Sequence, residues 1–273
     1  MFRRLALALG AVLVLALVPT ALGAAPSFMA VQGGEGVTSF DGEMHYVAQN
    51  AAGKTTKLQA LRGVERTVVM SKTIEGTFGV PILADQYSDA IFRDGSAFIV
   101  QSVGYSPHSE FRIVNTADLT IKNAISLDGT FSYDALSPDG KVLYLVQHTS
   151  TTDVTHYVVR AYDLDSNTLR PGKIADKKQR GWVMQGFPAK RTATKDGRWV
   201  YTMYANPSGY PFVHALDTVN GIAHCVGFAR PPGGDGAVFN GKLVLKGSKL
   251  QVRTQGGSLW RVINLKNWRV TKR

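Results

Sequence analysis

Two aspartates are the strongest candidates for acid–base chemistry in this sequence. Asp89 and Asp134 each stand five residues before an Asp-Gly pair, and Asp85 lies just upstream of the first. Two carboxylates at one site can act as acid and base when their environments push their pKa values apart. The same position in another copy of the pattern is Arg191, so the acids do not form a uniform ring. The alternative is that each carboxylate only bonds nearby backbone groups, as Asp does in turns.

No other pattern predicts a catalytic, metal or cofactor site. His148 and His156 are placed on opposite arms of a hairpin, but a metal would need further converging ligands. The segment AGKTT at 52–56 resembles the end of a phosphate-binding loop but lacks its first glycine. Cys225 is the only cysteine and has no activating neighbours, and a Gly-x-Ser-x-Gly motif is absent. We therefore expect no catalytic residue, no metal and no cofactor.

Positive charge is concentrated in the last part of the chain. Residues 24–170 contain 11 basic and 16 acidic side chains, whereas residues 171–273 contain 18 basic and 4 acidic ones. Such a surface attracts anionic polymers or acidic proteins, although it can equally serve solubility. The candidate binding residues are Lys173, Lys177, Lys178, Arg180, Lys190, Arg191, Lys195 and Arg198.

Aromatic residues surround a loop rich in glycine and proline at 206–211. Tyr204 and Tyr210 are the candidates for a binding patch, with Tyr201 and Phe212 close by in the sequence. Loops on one face of a fold can present aromatic rings to a sugar or a protein. The alternative is that these rings pack over the strands beneath them.

The first 23 residues predict a secretory signal peptide. Arg3 and Arg4 precede an apolar run at 5–18, and small residues follow up to an expected cleavage after Gly23. As a helix, the apolar run spans roughly 21 Å, too short for a hydrocarbon core of ~30 Å. We expect an exported mature chain without a stable membrane span, so nucleic acid is not an expected partner.

A repeated pattern organises the mature chain. Apolar residues, a turn and a second apolar run recur around Gly42, Gly95, Gly140 and Gly197, with a weaker fifth copy at Gly241. The intervals between these glycines are 53, 45, 57 and 44 residues. Asp-Gly or Asn-Gly between two such runs predicts a β-hairpin with a type I′ turn. Strand pairs with Asp/Asn/Thr turns follow in most copies, as at 113–121 and 161–169.

Units of about four short strands at this period predict an all-β fold, a β-propeller of about five blades. The expected domain is 24–273, and an irregular sandwich is the rival fold. The last blade is expected to close on itself or to borrow a strand from 28–40, and a ring left open would need a partner. The blades are placed approximately at 36–76, 77–129, 130–186, 187–230 and 234–270.

SPDGKVLYLV at 137–146, followed by AYDLDSNTL at 161–169, resembles the repeat of the YVTN-type and WD40-like bacterial β-propellers. The resemblance covers most of 36–270 at the level of blades. The segment 76–83 is similar to one in secreted actinobacterial propellers. The resemblance implies the architecture, and it also implies that a lactonase-like enzyme is an alternative.

These observations predict a secreted, non-catalytic propeller that acts as an interaction or scaffold module at the cell envelope. Its expected partner is a protein or an anionic envelope polymer, bound by the basic C-terminal part of the chain. The alternative is a propeller hydrolase or lactonase that uses Asp89 and Asp134 at the axis. The oligomeric state stays open.

Overall fold

The computed structural model describes residues 28–83, 87–150, 153, 155–176, 178 and 183–272. The expected signal peptide at 1–23 and Asp85 lie outside the described residues. Within these residues, no helix has the length and apolar character needed to span a membrane.

Five antiparallel sheets follow one another along the chain, so the predicted all-β propeller fold is confirmed. A short strand, β1 (Met29–Val31), comes first. The first blade then contains β2 (Gly36–Thr38), β3 (Met44–Ala51), β4 (Thr55–Arg62) and β5 (Thr67–Glu75). The second blade contains β6 (Phe78–Ile82), β7 (Ala97–Ser102), β8 (His108–Asn115) and β9 (Ile121–Asp128).

The remaining three blades continue in chain order. The third contains β10 (Phe131–Leu136), β11 (Val142–His148), β12 (His156–Asp163), β13 (Thr168–Leu169) and β14 (Met184–Gln185). The fourth contains β15 (Phe187–Ala193), β16 (Trp199–Ala205), β17 (Phe212–Asp217) and β18 (Ile222–Gly227). After the helix α1 (Gly234–Phe239), the fifth contains β19 (Lys242–Lys246), β20 (Lys249–Arg253), β21 (Leu259–Asn264) and β22 (Val270–Thr271).

The Asp-Gly turns adopt a different geometry from the predicted type I′. In the four turns only the glycine has a positive φ, for example 68° at Gly140. The Gly140 N–H donates to the Ser137 carbonyl at 2.9 Å, and Asp139 Oδ1 accepts from the Lys141 N–H at 3.1 Å. A type I turn followed by a left-handed glycine has this arrangement. The prediction of the turn positions is correct, whereas the predicted turn type is wrong.

The fifth copy of the repeat departs from the hairpin pattern. The segment before Gly241 forms α1 rather than a strand, and Gly241 is not among the glycines with positive φ. The hairpin of this blade instead turns at Gly247 and Ser248, between β19 and β20. The Asn-Gly pair therefore ends a helix in this blade and does not join two strands.

Hydrophobic cores lie between successive blades because alternate side chains of each strand point to opposite faces of its sheet. Four clusters join the first blade to the second, the second to the third, the third to the fourth and the fourth to the fifth. Among the described residues, no such cluster joins the fifth blade to the first. The far face of the fifth sheet therefore has no apolar partner sheet in the described part of the chain.

The N-terminal segment does not complete the last blade. The β1 strand pairs antiparallel with β6, with Met29 opposite Ile82, and so extends the second blade. Gly36–Thr38 is the first strand of the first blade. The fifth sheet is built from its own residues, so of the two expected arrangements it has the one that needs no strand from 28–40.

Candidate functional site

Three charged residues from three blades meet at the axis. Asp89 precedes a short stretch whose Ile91 pairs with Phe98 of β7. Asp134 lies in β10 at a register shift between Tyr133 and Ala135, which identifies it as the extra residue of a β-bulge. Bulges redirect a side chain out of the regular alternation. Arg191 in β15 extends toward both acids.

The Arg191 guanidinium binds both carboxylates. Its Nη2 lies 2.5 Å from Asp134 Oδ1, and its Nη1 lies 3.4 Å from Asp89 Oδ2 and also donates to the Asp134 carbonyl. Its Nε donates to Thr202 Oγ1 at 2.9 Å. The Arg191 and Asp134 side chains are 1% and 3% exposed, whereas that of Asp89 is 19% exposed. We call these three residues the axial charge cluster.

Aromatic rings enclose the cluster. The Phe28 ring lies under the Arg191 guanidinium, with 4.6 Å from Cζ to the ring centroid, and Tyr133 meets Phe28 edge-on at 5.3 Å. The Tyr133 hydroxyl donates to the Asp89 carbonyl at 2.9 Å. Gln101 Nε2 donates to the Phe28 carbonyl at 3.1 Å. The residue before β1 therefore covers the arginine in the middle of the molecule.

Arg191 is the common counterion of the two acids. Burial raises the pKa of Asp89, and the charge of Arg191 acts in the opposite direction. Burial alone would lower the pKa of Arg191, but Asp89 and Asp134 raise it above its ordinary value. The net direction for Asp89 is a raised pKa, so the effect of burial outweighs that of the Arg191 charge. Asp134 Oδ2 is buried without a hydrogen-bond partner among the described residues.

The basic residues singled out in the sequence differ in their exposure. Lys173, Lys178, Lys195 and Arg198 are exposed and Lys190 is half-buried, whereas Lys177 and Arg180 lie outside the described residues. Arg198 forms an ion pair with the buried Asp217 at 2.9 Å. The expectation that Arg191 belongs to a basic surface is wrong because its side chain is buried in the axial charge cluster.

Only one of the two candidate tyrosines lies at the surface. Tyr210 is 71% exposed, whereas Tyr204 is 2% exposed and stacks on Phe212 at 4.9 Å. Tyr204 therefore cannot belong to a surface patch, and its packing role corrects that expectation. Arg230 Nη2 donates to the carbonyls of Asn206 and Gly209 at 2.7 and 2.6 Å, and these bonds hold the loop at 206–211 in place.

The histidines stand apart from one another. His148 lies opposite Tyr157 and His156 lies opposite Gln185, so the two histidines are not directly opposite each other. His156 Nδ1 is 2.6 Å from Asp153 Oδ2. The described residues contain no group of three or more His, Cys, Asp or Glu side chains arranged to hold a metal ion.

The fifth blade carries a cationic face that the sequence pattern did not predict. Lys242 lies directly opposite Arg253, and Lys246 lies directly opposite Lys249 across the β19–β20 hairpin. The leucines and valine that alternate with them, including Leu250 and Val252, pack toward the fourth blade. The pairs of basic residues four positions apart, 242/246 and 249/253, were the available signal. We call Lys242, Lys246, Lys249 and Arg253 the fifth-blade cationic face.

This face has no internal counterions. The three lysines are exposed and Arg253 is half-buried, and no described acid forms an ion pair with any of the four. Arg253 donates to Gln251 Oε1 and to the Gly257 carbonyl. Beyond Asp235, the chain contains no Asp or Glu at all. Like charges directly opposite in a sheet repel each other, so the arrangement favours an anion from outside.

No protein-family model and no curated protein matches this chain. Among solved structures, Kuenenia stuttgartiensis hydrazine synthase has a TM-score of 0.51 and 15% identity, over 84% of this chain and 63% of that one. TolB from Acinetobacter baumannii has a TM-score of 0.46 and 14% identity, over 81% of this chain and 51% of that one. This chain thus spans less than two thirds of either neighbour. At such identity, the similarity to the first concerns the fold alone.

Proposed function

We propose that this chain is an exported, non-catalytic β-propeller that binds an anionic polymer of the cell envelope through the fifth-blade cationic face. The observation that supports it is the pairing of Lys242 with Arg253 and of Lys246 with Lys249 on a sheet face without acids. Two cross-strand pairs of like charge destabilise a hairpin unless an anion neutralises them. A polyanion with regularly spaced charges supplies that neutralisation along the hairpin.

The side chains on this face favour a polymer over a further blade as the partner that covers it. A further blade would pack apolar side chains against the fifth sheet, as the fourth blade does against Leu250 and Val252. The far face instead carries two pairs of long cationic side chains with Val244 between them, and such cations are suited to phosphate or carboxylate groups in water. The hydrolase alternative needs two carboxylates with separate roles, whereas Arg191 binds both Asp89 and Asp134.

The proposal is tested by binding of the purified protein to isolated cell wall and to linear polyphosphate over a range of salt. Four cation–phosphate contacts imply that affinity for polyphosphate falls about 50-fold between 50 and 200 mM salt. The variant Lys246→Gln/Lys249→Gln should reduce affinity about tenfold at low salt and flatten the salt dependence. Binding that is absent, or that does not depend on salt, would overturn the proposal.

A matched variant controls for net charge. Lys57 and Lys72 are exposed on the first blade, far along the chain from the fifth-blade cationic face. Lys57→Gln/Lys72→Gln removes the same two charges and should leave affinity within about twofold of the parent. Equal losses in the two variants would show that overall charge, and not this face, attracts the polymer.

A further inference from the structure

A cavity of about 270 Å³ opens at the axis beside the axial charge cluster. Residues of the first four blades line it, and Asp89 is the only member of the cluster in its lining. Among the described residues of the lining, none comes from the fifth blade, so the cavity is separate from the fifth-blade cationic face. Its volume is near the low end of the ~300–1,000 Å³ typical of ligand pockets, which favours a small ligand.

Asp89 is the acid at the inner end of this cavity. One guanidinium serves two carboxylates, so the axial charge cluster has one negative charge in excess when both acids are ionised. Asp134 takes the closer contact with Arg191, at 2.5 Å, while Asp89 is 3.4 Å away and is the more exposed acid. The excess charge is therefore presented to the cavity by Asp89. A carboxylate that lines a cavity favours a hydrogen-bonding cation.

The other walls and the mouth have different chemistry. Leu136 and Val200 are apolar wall residues, and Lys195 is an exposed cation in the lining. Arg93 also lines the cavity, with its guanidinium carbon 5.1 Å from the centroid of the Phe40 ring. A ligand with a cationic group at Asp89 and an anionic group at Arg93 and Lys195 would find an opposite charge at each end. An apolar group between these two ends would pack against Leu136 and Val200.

We propose that the axial cavity binds a small zwitterion of the class of α-amino acids with apolar side chains. Its ammonium group lies on Asp89, its carboxylate faces Arg93 and Lys195, and its side chain packs on Leu136 and Val200. The buried Arg191 holds Asp89 in place, and the two acids of the axial charge cluster disfavour the carboxylate of the ligand at the inner end. This site is independent of polymer binding at the fifth blade.

Calorimetric titration with three probes tests the assignment. L-Leucine carries both charges, 3-methylbutylamine carries only the ammonium, and 4-methylpentanoate carries only the carboxylate. We expect leucine to bind at least about tenfold more tightly than the amine and the carboxylate to bind least, because each charged contact adds about one such factor. No binding of leucine, or equal binding of the carboxylate, would overturn the proposal.

Variants locate the site. Asp89→Asn should reduce leucine affinity at least about tenfold, and Asp128→Asn, at an exposed acid on the second blade, should leave it unchanged. Lys195→Gln should weaken leucine binding and not amine binding. Unchanged leucine binding by Asp89→Asn, or equal effects of Lys195→Gln on leucine and amine, would contradict the proposal.

A second blocking variant covers the case in which Asp89→Asn does not fold. Ala193 lines the same cavity, and Ala193→Leu fills it without changing any charge. We expect it to abolish leucine binding while the far-ultraviolet circular dichroism spectrum stays that of the parent. Leucine binding that persists in folded Ala193→Leu places the ligand elsewhere and overturns the assignment.

Discussion

Arg191 Nη2 lies 2.5 Å from Asp134 Oδ1, and this ion pair joins the inner strands of the third and fourth blades. Both side chains are almost completely buried, and 57 residues separate them in the sequence. Removal of one member of a buried ion pair leaves an uncompensated charge, which is far more costly than the net contribution of the pair itself. The pair therefore makes the position of these two blades sensitive to a single side chain.

Arg191→Met should lower the free energy of unfolding by about 3–5 kcal/mol, because Asp134 and Asp89 lose their common counterion. Chemical denaturation measures this change. Lys173→Met, which removes an exposed cation, should change the free energy by less than about 0.5 kcal/mol. The double variant Arg191→Met/Asp134→Leu should regain part of the loss, and an Arg191→Met variant as stable as the parent would contradict this role.

Two turn glycines should differ in their tolerance of alanine. Gly95 and Gly140 have φ values of 72° and 68°, so alanine at either position costs about 1–2 kcal/mol in the left-handed region. A Cβ at Gly140 would lie 2.7 Å from Phe92 Cδ1, whereas nothing lies within 4 Å of one at Gly95. Gly140→Ala should therefore be at least about 1 kcal/mol more destabilising than Gly95→Ala by thermal denaturation. Equal losses would show that Phe92 moves aside freely.

His214 should make the protein less stable as the pH falls from about 6.5 toward 4. Burial lowers the pKa of His214 from 6.5 to about 4, so the unfolded chain binds a proton in this range that the folded chain does not. The shift corresponds to about 3 kcal/mol of stability lost across the range. Denaturation of the parent and of His214→Phe at several pH values checks this, because the variant should lose most of the dependence.

The matched control for that measurement is His45. Burial also lowers the pKa of His45, which is bonded to Thr38 Oγ1 at 2.9 Å, and this residue lies in the first blade. The His45→Gln variant should still lose stability as the pH falls, to the extent that His214 causes this loss. An unaltered slope in His214→Phe would show that other groups cause the loss of stability.

Cys225 should be nearly inert toward thiol reagents in the folded protein. Burial raises the pKa of its thiol to about 12, and the nearby Asp176 acts in the same direction. Because the thiolate is the reactive form, modification by dithiobis(nitrobenzoate) at pH 8 should be at least about 100-fold slower than in denaturant. A native rate within tenfold of the denatured rate would show that the thiol is accessible and ionised.

The sequence by itself determined the strand-rich repeat and the positions of the Asp-Gly turns. These features depend on contacts between residues a few positions apart, such as the hydrogen bond from the Gly140 N–H to the Ser137 carbonyl. The turn type could not be predicted from the sequence, because the sign of φ at the residue before glycine depends on the relative orientation of the two strands. The Asn-Gly pair at Gly241 shows the limit of such local prediction, because a similar dipeptide ends a helix there instead of joining two strands.

Only the tertiary structure decided which charges are buried and which are free. A count of basic residues treats Arg191 and Lys242 alike, but one lies between two acids from other blades and the other lies on an open sheet face. Strand register decided that Lys246 stands opposite Lys249. Contacts across 57 or 102 residues depend on how the blades are arranged in space, and no short pattern in the sequence encodes that arrangement.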